Sequence, residues 1–179
     1  MEIDEKNKLL KDSEIGLWID TYDDIFSDFD PREYSERALS QDFLEEAKRA
    51  SRDKKEGIQL VFLAPKHIRN SGTESIVKKR LKDHFKKHSV EFKKDKMKTI
   101  REGLIFFILG ILFMVAATFV IAGQNMGFLI TLLSVFLEPG GWFLFWQGLD
   151  LIIFRAREKA PELEFYKKMS RAEIIFKDY

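Results

Sequence analysis

Residues 103–123 read GLIFFILGILFMVAATFVIAG, and residues 128–154 read FLITLLSVFLEPGGWFLFWQGLDLIIF. Positions 103–154 hold two formal charges, Glu138 and Asp150, whereas the other 127 residues carry 57 Asp, Glu, Lys and Arg. About 20 apolar residues in a helix cross a hydrocarbon core of about 30 Å. The two stretches therefore predict two membrane-spanning helices, 103–123 and 128–154, joined by a short turn without Lys or Arg. Lipid leaves backbone groups no water to bond, so both spans must be helical. Glu138-Pro139-Gly140-Gly141 predicts a kink or break at 138–141 in the second.

The flanks set the expected orientation. Lys93, Lys94, Lys96, Lys98 and Arg101 precede the first span, and Arg155, Arg157, Lys159, Lys167 and Lys168 follow the second. The positive-inside rule places both termini in the cytoplasm of a plasma or inner membrane. Lys93, Lys94, Lys96, Lys98, Arg101, Arg155 and Arg157 then meet anionic lipid headgroups, at about 1 kcal/mol per cation. Residues 1–12 carry no secretory-type apolar run, so the first span is expected to act as an uncleaved anchor. Cysteine is absent, which excludes disulfides, thiol catalysis and Cys-ligated metal.

A net charge of +1 conceals two blocks. Residues 20–46 hold ten acids and two bases, and residues 78–101 hold eleven bases and three acids. The basic block lacks the interleaved aromatics that stack on bases, which argues against nucleic acid as a partner.

The expected fold is a two-helix membrane hairpin joined to a small cytosolic α/β domain of β-α-β-α-β order. Its organisation is 1–98 for the α/β domain, 99–157 for the hairpin and 158–179 for a tail. Ile15, Leu17 and Ile19 alternate as in a strand. Ser40 can cap a helix through Phe43, Leu44, Ala47 and Ala50. Residues 58–64, IQLVFLA, suit a buried central strand. Ser71 and Glu74 form a capping-box pattern for a helix carrying Ile76, Val77, Leu81 and Phe85. Ser89 to Lys93 reads as a short strand. Residues 171–177, RAEIIFK, make a further strand that can join the sheet, with the hairpin inserted between strands.

Small residues recur every seven positions, at Gly103, Gly110 and Ala117, then at Gly127, Ser134, Gly141 and Gly148. Such stripes let helices approach closely in lipid, within a hairpin or between subunits, so a homo-oligomer is the expected state. Glu138 borders this stripe. It has two readings: a helix-start residue bonded to backbone, or an ion contact shared with Ser134 and Thr131. Asp150 is placed to pair with Arg155 or Arg157. His84 and His88 are one turn apart among lysines, which repel a cation.

Two spans, a short outer turn, basic flanks and Glu138-Pro139 resemble the pore hairpin of mitochondrial calcium uniporters. There the Glu of a Trp-Asp-x-x-Glu-Pro motif rings the pore and binds calcium. The resemblance implies a cation contact at Glu138, and here Ser134 and Val135 stand at the Trp and Asp positions. Residues 28–51 also resemble a stretch found in uncharacterised prokaryotic membrane proteins, which implies no activity.

The expected function is an oligomeric cation channel with Glu138 on the pathway and a cytosolic regulatory domain. The alternative is a non-conducting scaffold or sensor that recruits a cytosolic partner. A membrane-tethered metal-dependent enzyme is a third class. It would use Asp20, Asp24 and Asp28, whose hard oxygens suit Ca²⁺ or Mg²⁺. No nucleophile elbow, phosphate loop or kinase signature occurs, so an enzyme is not the expectation.

Overall fold

The computed structural model describes residues 14–52, 54, 58–123 and 127–179. Residues 1–13, 53, 55–57 and 124–126 lie outside them, and with them parts of the turns expected at 54–57 and 124–127. Two compact units are present. The sheet unit comprises residues up to Val90 with Leu163–Tyr179, and the hairpin unit is Glu91–Glu162.

The sheet unit contains strand β1, Glu14–Trp18, helix α1, Gln41–Ser51, and strand β2, Gln59–Ala64. Strand β3, Glu173–Asp178, completes a three-stranded parallel sheet of order β1-β2-β3. Ile15 pairs with Leu60 and Leu60 with Ile174, while Leu17 pairs with Phe62 and Phe62 with Phe176. Alternation puts these six side chains on one face. That face is the core. It meets Phe43 and Ala47 of α1, then Val77, Leu81 and Phe85 at four-residue spacing, then Phe165 and Met169. Both crossovers step the same way across the sheet, and right-handed crossovers put their helices on one face. Ser40 Oγ accepts the Phe43 N–H at 3.5 Å and caps α1.

Helix α2 runs from Ser71 to Ala122, 52 residues without a break. The strand expected at Ser89 to Lys93 is therefore helix. No proline occurs between Pro65 and Pro139, and Lys, Glu and Met are good helix formers. Extending an existing helix gains a hydrogen bond per residue, whereas a strand needs a turn and a partner. The sheet takes its third strand from β3 instead. The cap of α2 also differs from the expected capping box. Asn70 Oδ1 accepts the Gly72 and Thr73 N–H groups at 2.9 and 3.1 Å.

Helix α3 spans Phe128–Asp150, with Pro139 inside it. Of the kink or break expected at 138–141, a break does not occur. Proline removes one donor, leaving the Val135 carbonyl without its intrahelical partner, but a full break would unpair several groups. A π-helical turn, Leu151–Arg155, follows, then a short helix α4, Ala156–Glu158, and helix α5, Ala160–Arg171. α2 and the run from Phe128 contain stretches long and apolar enough to cross a membrane, and few of those side chains are buried within the chain.

Gly103, Gly110 and Ala117 of α2 are buried, as are Ser134, Gly141 and Gly148 of α3. A Cβ on Gly110 would stand 2.5 Å from Phe145 N and 2.8 Å from Gly141 O. One on Gly148 would stand 2.5 Å from Phe107 N and 2.7 Å from Gly103 O. The two backbones thus touch along a seam that has no room for side chains. Gly127 does not join it: a Cβ there meets nothing within 4 Å, because it only opens α3. The next buried residue after Gly148 is Ala156, eight positions on. The Ala156 N–H bonds the Leu151 carbonyl, a five-residue step. This wider turn absorbs one extra residue, so a small side chain stays on the seam and Arg155 turns outward.

Candidate functional site

Glu138 is exposed on α3. The seam runs along the adjoining face, so the hairpin uses its small residues on itself and leaves this carboxylate uncovered. Ser134 does not share that exposed face. It is buried in the seam, and its Oγ donates to the Thr131 carbonyl at 2.7 Å. Thr131 is exposed, seven residues before Glu138 and on the same side of the helix. Thr118 Oγ1 donates to the Met114 carbonyl at 2.9 Å, so this hydroxyl is also used by its own helix. Trp142 and Trp146 stack at 6.3 Å beyond Glu138 and are exposed.

At the foot of the hairpin, Lys93, Lys94, Lys98, Arg101, Arg155 and Arg157 are exposed and Lys96 is half-buried. Arg155 Nε lies 3.4 Å from Asp150 Oδ2, the pair suggested by their spacing. Lys159 Nζ donates to the buried Thr99 Oγ1 at 3.0 Å and ties the two feet together.

A second polar constellation lies in the sheet unit, at the carboxyl ends of the strands. Glu74 is 6% exposed. Its Oε1 accepts from Arg69 Nε at 2.7 Å and from Tyr22 Oη at 3.3 Å, and its Oε2 accepts from Arg69 Nη2 at 3.1 Å. Tyr22 Oη in turn accepts the Asn70 N–H at 2.9 Å, and Arg69 Nη1 reaches Asp178 at 3.5 Å. Burial pushes the Tyr22 phenol up, with Glu74 adding to the shift. The hydrogen bond to Glu74 raises Arg69. Glu74 therefore bridges the segments that follow β1 and β2. Reading it as a capping-box residue missed this role; its hydrophobic neighbours at 77 and 81 mark the same buried face.

The acidic loop is built, not loose. A 3-10 turn, Tyr22–Ile25, buries Tyr22 and Ile25. Asp24 Oδ2 accepts the Asp20 and Thr21 N–H groups at 2.7 and 2.9 Å, which occupies it as a cap. Asp20 and Asp28 are exposed. Among the described residues no three His, Asp or Glu side chains gather as a metal-holding group, so Asp20, Asp24 and Asp28 do not converge. Asp30 accepts from Arg32 Nη2 and from the Ala38 N–H, both at 2.7 Å, and the Arg32 bond holds its carboxyl far below the usual carboxylate range. Phe29, at the tip, stands 98% exposed.

The His84 and His88 rings lie 4.3 Å apart at an angle of 52°, beside Tyr166. Burial, then His88, Arg80 and Lys87, push His84 down to about 4. Its Nε2 is buried and has no hydrogen-bond partner among the described residues.

No family model matches the chain, and neither a curated protein nor a solved structure does.

Proposed function

We infer that the chain is a membrane protein whose copies assemble around a cation path contacted by Glu138. In this reading the hairpin spans the bilayer with both feet on the cytoplasmic side, its basic flanks meet anionic headgroups, and the sheet unit regulates the path. The observation that carries the reading is an exposed carboxylate on an apolar helix. Glu138 lies about 15 Å along α3 from Phe128, close to mid-depth for a centred span. A charge there costs about 2.5–3.5 kcal/mol on insertion scales. No Lys or Arg lies between Glu102 and Arg155 to offset it, and the seam covers the neighbouring face. Several copies that turn Glu138 and Thr131 toward a shared, wetted axis remove that cost and form a ring attractive to cations.

The test is flux in proteoliposomes with wild type and Glu138→Gln. That change keeps the volume and removes the charge. Wild type passes cations, and the variant loses flux or selectivity while assembling to the same size. Intact oligomers that conduct under no gradient, pH or voltage would replace the path with a scaffold that recruits a cytosolic partner. Loss of assembly in Glu138→Gln would make the carboxylate structural.

A further inference from the structure

Strand β2 is buried on both faces, and the helices account for one of them. Leu60, Phe62 and Ala64 face the core, together with the buried apolar side chains of α1, α5 and the start of α2. Val61 and Leu63 alternate with them and face the other way, yet both are 0% exposed. On that second face Val61 stands between Gly16 of β1 and Ile175 of β3, and Leu63 between Trp18 and Lys177. Gly16 has no side chain to cover its neighbour, and Gly16, Ile175 and Lys177 are themselves only half-buried. The Trp18 and Tyr179 rings meet edge to face at 4.5 Å and shelter the Leu63 end. The middle of the face, at Val61, needs more cover than its strand neighbours give. All-parallel sheets occur with both faces covered, so this face has an occupant.

We propose that the occupant is residues 1–13 of the same chain, laid along the second face as a short helix. They lead directly into Glu14, the first residue of β1, which is an edge strand of this sheet. Residues 1–12 as a helix run about 18 Å, close to the about 20 Å of the six-residue β2. A link as short as Asp12-Ser13 is enough to turn a helix back along a strand. Ile3 and Leu10 are seven apart and share one side with the aliphatic stem of Lys6, and Leu9 borders them. The charges agree from end to end. Running back from Glu14, Lys11 and Lys8 come first, at the end of the face that holds the exposed Glu173, whose Oε2 accepts from Gln59 Nε2 at 2.9 Å. Glu5, Asp4 and Glu2 come last, toward the end that holds Lys177.

In place, the segment takes Val61, Leu63 and Ile175 out of solvent and removes an apolar patch that invites association with other chains. It is held by side-chain contacts and not by strand pairing, so its release leaves the hydrogen bonds of the sheet intact. The contact belongs to the sheet unit and holds whether or not Glu138 contacts a cation path.

The test places the photoreactive phenylalanine analogue p-benzoylphenylalanine at position 10 of the full chain. Heavy-isotope and light chains are mixed in nanodiscs and irradiated. Crosslinks within one chain from position 10 to Trp18, Val61, Leu63, Ile175 or Lys177 support the proposal. Crosslinks of mixed isotope, which place a second copy on the face, overturn it, as do crosslinks to lipid, to the hairpin or to other parts of the sheet unit. Leu10→Ala gives an independent readout and keeps a good helix former at that position. Loss of a packed leucine shifts an opening equilibrium about tenfold or more, so amide exchange at Val61 and Leu63 should quicken by that factor. Leu10→Met keeps the volume and should leave exchange as in wild type. Equal exchange in wild type and Leu10→Ala overturns the proposal, because a solvated Leu10 covers nothing. A Glu138→Gln chain that loses flux but keeps the crosslink separates this contact from the cation path.

Discussion

Gly140 and Gly141 are neighbours in α3, and the same substitution should move stability in opposite directions at the two. A Cβ on Gly140 would meet only Phe113 Cδ2, at 3.8 Å, an ordinary contact. Gly140→Ala then gains the helix preference of alanine over glycine, about 0.5–1 kcal/mol. A Cβ on Gly141 would stand 2.8 Å from Met114 Cγ and 3.0 Å from both Gly110 O and Met114 N. Two of these are backbone atoms and cannot step aside. Gly110→Ala is worse, with its Cβ 2.5 Å from Phe145 N. Restoring an ordinary 3.4 Å contact there moves the helices apart by about 0.9 Å, and a gap of 0.5–1 Å forfeits a quarter to a half of each contact's attraction. Overpacking of this kind costs about 1–3 kcal/mol, more than alanine's helix preference returns. Dodecyl sulfate titration in mixed micelles reads the effect through Trp142 and Trp146, with Trp18→Phe as background. Gly140→Ala should raise the midpoint, and Gly141→Ala and Gly110→Ala should lower it. Equal responses at Gly140 and Gly110 would refute the seam.

The π-helical turn should behave as a removable insertion: deleting Ile153 restores seven-residue spacing and leaves the fold intact, whereas deleting Leu144 rotates Gly148 off the seam and unfolds the hairpin. Tryptophan emission and helical circular dichroism in detergent distinguish the two. Glu74→Ala leaves Arg69 and Tyr22 without their shared acceptor and should cost about 1–3 kcal/mol in the sheet unit, read by urea denaturation. His84 favours its neutral form when folded, so its contribution to stability is full above about pH 6.5 and is lost as pH falls toward about 4. His84→Phe should flatten the slope of melting temperature in that window. Asp30→Asn should loosen the loop tip and speed hydrogen exchange of the Ala38 amide, leaving that of Val61 unchanged.

The apolar spans, the central strand at 58–64 and the late strand were legible because composition and alternation report burial directly. The seven-residue stripe was legible too: at Gly103 and Gly148 only glycine permits the approach seen, because any Cβ there would stand 3.0 Å or less from the facing helix. The false strand at Ser89 to Lys93 came from Val90 and Phe92, whose two-residue spacing carries little weight against a helix already 18 residues long. The helix stays unbroken at Pro139 because proline removes one donor where a full break would unpair several groups. The extra residue of the π turn hid behind Arg155, which occupies the position where a strict seven-residue count expects a small side chain. Phe29 drew no notice because a single aromatic in an acidic loop has no periodicity.

The parallel pairing of β2 with β3 reaches across the whole hairpin, from Gln59 to Glu173. During synthesis β2 emerges long before its second neighbour, and the sheet stays two-stranded while the apolar helices are made. Non-local pairing of this kind is slow and leaves a strand edge open meanwhile. It also acts as a check on insertion. In the spanning arrangement inferred above, only a chain whose hairpin crosses and returns delivers β3 to the side that holds β2. A chain stranded after one crossing keeps an unfinished sheet with β2 unpaired along one side, an open edge that invites wrong pairing. In that arrangement, completion of the three-stranded sheet depends on both crossings of the hairpin.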